Sequence, residues 1–147
     1  SKGLRARSSE NIIVTGFVED VRPYIARGEV FIIPLLIGGG IRGKALEAMA
    51  MKKPIVSTSI GCEGIVLNPG ESVLVADTPA DFANSVVRIF NDADLKNRLG
   101  TNAHATALKE YDWEQKGRQL EIIFQTVLKD KHATSVLAPQ TAAAGKR

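Results

Sequence analysis

Short apolar runs alternate with amphipathic segments along most of the chain. The first run, NIIVT at residues 11–15, is rich in β-branched residues and is closed by Gly16, so it predicts a buried strand. Three later runs, EVFIIP, PIVST and SVLVA, predict further strands. Pro34 ends the first of these because proline cannot donate to a central ladder.

Apolar residues recur at helical spacing between and after these runs. VEDVRPYIARG predicts a short helix that Gly28 stops, and a second helix is expected at about residues 41–51. Asp77-Thr78-Pro79 is typical of a helix start, with Asp or Thr as the cap and proline in the first turn. Helices are then predicted at about residues 79–90, 92–111 and 114–128.

This alternation predicts an α/β fold, with a Rossmann-like parallel sheet flanked by helices. Residues 1–130 are interpreted as one partial domain. An alanine-rich, low-complexity segment begins near Lys129, and residues 131–147 are expected to form a disordered tail. Ligands of such sheets bind at the carboxyl ends of the strands, and a glycine-rich segment follows EVFIIP there, after the three residues LLI.

Composition narrows the range of functions. The chain has 147 residues, a formal charge of +3 and 5% aromatic residues, and its basic residues are scattered. That pattern argues against a nucleic-acid partner, which favours clustered cations beside aromatic residues. The single cysteine, Cys62, excludes an internal disulfide and a cysteine-only metal site. With no apolar signal segment and no membrane-length run, a cytoplasmic location is expected.

The candidate chemistry lies in PLLIGGGIRGKALEAMAM, residues 34–51. Gly38, Gly39 and Gly40 have no β-carbons, so their backbone amides can close on an anionic diphosphate. Arg42 and Lys44 fall in the first turn of the predicted helix, where cations oppose the helix dipole unless an anion binds. Glu47, further along the helix, can accept hydrogen bonds from the two adjacent hydroxyls of a ribose.

A second interpretation of the same segment is a phosphate-binding P-loop. Residues 38–44 match G-x-x-x-x-G-K, and VLVAD, ending at Asp77, could serve as a Walker B strand. Position 45, however, is alanine, where the motif needs a hydroxyl to hold Mg²⁺. This alternative, an NTPase domain with a degenerate Walker A motif, predicts Mg²⁺-dependent binding of nucleoside triphosphates.

The segment GGGIRGKALEAMAMKKPIVSTSIGCEGI resembles the signature of the group 1 glycosyltransferases, the large retaining family with the GT-B fold. TGFVEDV, EVFIIPLL and YDWEQ also agree with the family, so the resemblance covers roughly residues 10–128. It implies the C-terminal, nucleotide-sugar-binding half of a GT-B fold. The matching positions of the signature are Lys44, Leu46, Glu47, Ala48, Met49, Ala50, Pro54, Ser57, Thr58, Gly61, Glu63 and Gly64.

The resemblance also implies site residues. Glu47 occupies the place of the second Glu of the family's E-x7-E motif, which holds the ribose, whereas Gly39 replaces the first Glu. This departure resembles a subfamily with a G-G-G-x-R-x-K loop. The donor-binding residues implied are Gly38, Gly39, Gly40, Ile41, Arg42, Lys44 and Glu47. The residues implied at the nucleotide base are Phe17, Val18 and Asp20.

The implied reaction moves a sugar from a nucleotide diphosphate to an acceptor hydroxyl with retention, without a metal or another cofactor. No catalytic residue is assigned within these 147 residues. The acceptor site would belong to an N-terminal GT-B domain, so this chain alone is expected to be inactive. The family is compatible with peripheral association of the whole enzyme with the inner face of the membrane.

Loss of the first Glu leaves a non-catalytic nucleotide-binding module as an alternative. The sugar, base and acceptor stay open.

Overall fold

A parallel sheet forms the centre of the first of two compact units in the computed structural model, which describes residues 8–40 and 42–136. Its three strands lie in the order β1-β2-β3, with Phe31 opposite Ile55 and Val56 opposite Leu74. This arrangement confirms the predicted α/β class. The strands are β1 (Phe31–Ile33), β2 (Ile55–Ser57) and β3 (Leu74–Val75).

Helices fill most of the remaining described chain. They are α1 (Arg22–Arg27), α2 (Gly43–Ala50), α3 (Pro79–Asn91), α4 (Ala93–Tyr111) and α5 (Trp113–Val136). A 3₁₀ helix (Ile60–Cys62) follows β2. One compact unit, which contains the sheet, ends at Thr106, and a second begins at Ala107. Within the described ranges, none of these helices is both long enough and apolar enough to pass through a bilayer.

The core of the first unit explains why these apolar runs become strands. All three residues of β2 are buried, as expected for the central strand of a parallel sheet covered on both faces. One side of α2 is also buried, because the side chains of Ala45, Ala48 and Met49 are inaccessible to solvent. The core cluster comprises Val56, Leu74, Ile89, Leu95 and Leu99.

The prediction of a buried strand at residues 11–15 is wrong. Ile12 forms only an isolated bridge with Ser9, and the side chains of Ile12 and Ile13 are 51% and 82% exposed. A buried strand requires hydrogen-bonding neighbours, whereas β1, β2 and β3 pair only with one another in the described sheet. The apolar run alone therefore does not make a strand here.

The last helix extends beyond its predicted end at residue 128. α5 continues to Val136, because residues 129–136 (KDKHATSV) contain neither glycine nor proline to stop it. The predicted tail is therefore wrong for residues 131–136, which are helical. Residues 137–147 lie outside the described residues, where the tail stays a prediction.

The start of α3 supports a prediction about its stability. Thr78 caps the helix as predicted, since its Oγ1 accepts a hydrogen bond of 3.2 Å from the amide of Asp81. Thr78→Ala should lower the free energy of unfolding by about 1 kcal/mol, because one helix amide loses its acceptor. Urea denaturation measures the change, with the exposed Thr101→Ala as control. Equal losses in both variants would show that the cap contributes nothing.

Candidate functional site

The glycine loop, defined here as Gly38, Gly39 and Gly40, is open in the structure. All three residues are exposed, and no heavy atom lies within 4 Å of the position that a Cβ would take at Gly39 or Gly40. Their amides donate no hydrogen bond to any residue that the structure describes. The amides are therefore accessible to a ligand, and diphosphate binding by them stays a prediction. Ile41, the next predicted contact, lies outside the described residues.

The amino terminus of α2 is also uncapped. Arg42 occupies the cap position without a capping hydrogen bond from its side chain, and the first turn contains no acidic residue. The amide of Ala45 bonds to the Arg42 carbonyl at 2.8 Å, whereas those of Gly43 and Lys44 have no acceptor in the described chain. Free amides and the helix dipole together favour an anion at this end.

Lys44 and Glu47 lie one helical turn apart on the exposed face of α2. Neither side chain forms a hydrogen bond or ion pair with the residues described. A groove of about 320 Å³ runs between the start of α2 and the β1 segment, and Arg42, Gly43 and Lys44 line it. Glu47 and the glycine loop lie outside its lining. The structure thus brings Lys44 to the groove and leaves Glu47 one turn beyond.

Arg42 behaves differently from Lys44. Its Nη1 donates to the carbonyl of Gly39 at 3.1 Å, and its Nη2 donates to the carbonyl of Ile60 at 3.3 Å. The sequence predicts Arg42 as a donor-binding residue, but its guanidinium is engaged with the backbone here. These contacts join the glycine loop to the 3₁₀ helix.

A polar network holds that 3₁₀ helix at the carboxyl ends of the strands. The carboxylate of Asp77 accepts a 2.7 Å hydrogen bond from the amide of Ser59 and another from its hydroxyl. These two bonds hold the pKa of the Asp77 carboxyl below its ordinary value, and the bond from the Ser59 hydroxyl has the larger effect. Both carboxylate oxygens of Asp77, the Walker B candidate, thus accept hydrogen bonds from Ser59. The hydroxyl of Thr58 donates to the carbonyl of Leu35 at 2.5 Å.

Sequence reasoning did not assign a site role to Thr58 or Ser59. The signal available was the polar run STS at residues 57–59, directly after the apolar part of β2. Polar residues at the carboxyl end of a parallel strand occupy the ligand-binding edge of the sheet.

Cys62, in the 3₁₀ helix, is partly buried. Burial raises the pKa of its thiol above the ordinary value, against the opposing effect of a hydrogen bond with Ser57. The thiol is therefore protonated at neutral pH and is a poor nucleophile. No group of three or more His, Cys, Asp or Glu side chains in the described part of the chain could hold a metal ion.

The predicted base-binding residues lie on a separate loop before α1. Phe17 is 92% exposed and Val18 is partly buried. The carboxylate of Asp20 pairs with the Arg22 guanidinium through two 2.9 Å hydrogen bonds, which lower the pKa of Asp20. Within residues 8–40 and 42–136, no hydrogen bond joins this loop to the glycine loop. Base contact by these three residues stays a prediction.

Comparison with known sequences identifies relatives. Residues 1–92 match the profile of the family described as "Glycosyl transferases group 1". The chain is 27% identical over 128 residues to the putative glycosyltransferase YtcC of Bacillus subtilis, covering 84% of this chain and 31% of that protein. It is 28% identical over 133 residues to the alpha-D-kanosaminyltransferase of Streptomyces kanamyceticus, covering 86% of this chain and 33% of that protein.

A solved structure shares the fold. The C-terminal domain of a glycosyl transferase group 1 family protein (LpcC) from Francisella tularensis superposes with a TM-score of 0.60 at 18% identity. The match covers 67% of this chain and 52% of that one. The 147 residues span about a third of the length of the two curated relatives described above.

Proposed function

The chain belongs to the group 1 glycosyltransferases, and from that membership we propose that it binds the nucleotide-diphosphate sugar donor of a glycosyl transfer. The transfer proposed moves the sugar to an acceptor hydroxyl with retention at the anomeric carbon. The known relatives include a protein named as a kanosaminyltransferase, which is a sugar transferase by name. The sugar and the acceptor of this chain stay open.

The observation that carries the proposal is the open glycine loop beside the uncapped start of α2. Amides of the loop and of Gly43 and Lys44 lack acceptors among the described residues, and the Lys44 ammonium is exposed beside them. Such an array suits the several negative oxygens of a diphosphate. Glu47 supplies an exposed carboxylate one turn further along, which fits the hydroxyls of the attached ribose.

The same groups can serve the chemical step. When the bond between the anomeric carbon and the diphosphate oxygen breaks, negative charge develops on the departing diphosphate. Fixed amides and the Lys44 ammonium stabilise that charge more than they stabilise the bound donor, which lowers the barrier. The proposed contribution of this chain is therefore electrostatic and requires no metal.

Because the chain spans about a third of the length of these two relatives, the complete reaction is proposed for a longer protein. An N-terminal GT-B domain would carry the acceptor site and close the cleft over the donor. The 147 residues alone are then expected to bind donor without transferring sugar. Sugar transfer catalysed by the purified 147-residue chain would contradict this division of labour.

A thermal-shift panel tests donor binding directly. UDP, GDP, ADP, CDP and dTDP are added separately to the chain in excess EDTA. One or more of them should raise the melting temperature on the order of 10 °C at a concentration 100 times its dissociation constant. The shift follows from mass action, since a ligand that binds only the folded state stabilises that state.

A second panel, in which nucleoside triphosphates are added with Mg²⁺ in place of EDTA, separates the alternatives. Stabilisation that needs Mg²⁺ and a nucleoside triphosphate would favour the degenerate Walker A interpretation, and no stabilisation by any diphosphate would contradict the proposal. Diphosphate binding in a full-length protein that neither transfers nor hydrolyses the sugar of any nucleotide-sugar tested would support the non-catalytic module instead.

A further inference from the structure

Arg42 connects two backbone segments that are far apart in sequence. Its two terminal nitrogens donate to the carbonyl of Gly39, in the glycine loop, and to the carbonyl of Ile60, in the 3₁₀ helix. The planar guanidinium suits this task because it presents donors in a fixed fork, whereas a lysine ammonium is a compact point charge.

Gly38 provides the space for that fork. A Cβ at Gly38 would lie 2.9 Å from Nη2 and 3.0 Å from Nη1 of Arg42. The guanidinium therefore lies directly against the loop backbone. Any side chain at position 38 would displace it or be displaced by it.

The other end of the bridge rests on a fixed support. Asp77 holds the amide and hydroxyl of Ser59, immediately before the 3₁₀ helix. Gly61 is buried against the ends of β1 and β2, and its amide donates to the Thr58 hydroxyl at 3.1 Å. The residues on both sides of Ile60 are thus held at the carboxyl ends of the strands, and they support the carbonyl that accepts from Arg42.

We propose that Arg42 is a positioning residue, which ties the glycine loop to the 3₁₀ helix and keeps the loop amides open for the ligand. Lys44, which no described residue engages, then supplies the positive charge that meets the diphosphate. That a diphosphate binds at the loop rests on the proposed function. The ordering of the loop by Arg42 does not depend on a ligand.

Backbone ¹⁵N relaxation of the unliganded chain tests this proposal. The glycine-loop amides should have order parameters of about 0.85 in the original chain and below about 0.6 in both Arg42→Ala and Arg42→Lys. Lys44→Ala is the matched control and should leave these values unchanged, because the Lys44 side chain makes no hydrogen bond or ion pair with the loop among the described residues. If Arg42→Ala does not fold, Arg42→Lys and Gly38→Ala give the same readout.

A loop that stays ordered in Arg42→Ala, or one that Arg42→Lys preserves, would overturn the proposal.

Titration with inorganic pyrophosphate adds a second readout. Arg42→Lys should bind pyrophosphate as weakly as Arg42→Ala does, because both variants lack the guanidinium fork. If lysine instead recovered the affinity, Arg42 would act through its charge, and the proposal would be overturned. Failure of the original chain to bind pyrophosphate would count against the proposed function alone, because the relaxation result does not involve a ligand.

Discussion

Glu47→Ala is expected to weaken the binding of a nucleoside diphosphate by roughly 30- to 1,000-fold, which corresponds to about 2–4 kcal/mol. The carboxylate is exposed and has no partner in the described chain, so its acceptors are free for two ribose hydroxyls. Hydrogen bonds to a charged group are the stronger kind, and the variant loses both. The unfolding free energy should change by less than about 0.5 kcal/mol, because the side chain is exposed and makes no hydrogen bond or ion pair in the described chain.

Isothermal titration with ribose and 2′,3′-dideoxyribose forms of the same nucleoside diphosphate measures this effect. The original chain should bind the dideoxy form about as weakly as Glu47→Ala binds the ribose form, and the variant should lose little more when the hydroxyls are removed. Glu63→Ala, which removes another exposed carboxylate, serves as the control. Additive losses from the variant and the dideoxy ligand would show that Glu47 does not contact the ribose.

The framework of the fold could be predicted because its signals are local. β1, β2 and the start of α3 follow from apolar runs, from Pro34 and from the Thr78-Pro79 cap. The run at residues 11–15 carries the same signal as β2, but a strand also depends on neighbours that no local pattern specifies. The apolar composition of residues 11–15 therefore indicates a propensity for β-strand, but it does not determine whether a strand forms.

The candidate site shows the same division. Glycines, cations and a carboxylate at the start of α2 could be found from their spacing, and the structure exposes Lys44 and Glu47 on one face of the helix. The engagement of Arg42 could not be predicted, because its acceptor Ile60 is 18 residues away and is brought near only by the parallel sheet. The pairing of Asp20 with Arg22 also depends on the local path of the chain before α1.

Gly61→Ala is expected to destabilise the fold by about 3 kcal/mol, because the added methyl group has no room. A Cβ at this buried position would lie 2.7 Å from the carbonyl oxygen of Ile33 and would overlap the Oγ of Ser57. Neither atom can move freely, since one belongs to the backbone at the end of β1 and the other to a buried side chain in β2. The 3₁₀ helix must therefore shift away from the sheet, taking the Ile60 carbonyl with it.

Thermal unfolding should place the melting temperature of Gly61→Ala roughly 10–20 °C below that of the original chain. Gly39→Ala is the matched control, since nothing lies within 4 Å of its Cβ position, and its stability should change by less than about 0.5 kcal/mol. Because the Ile60 carbonyl accepts from Arg42, Gly61→Ala should also loosen the glycine loop at temperatures where the chain is still folded. A Gly61→Ala chain as stable as Gly39→Ala would mean that the 3₁₀ helix is not packed against β1 and β2, and the support inferred for Arg42 would then be absent.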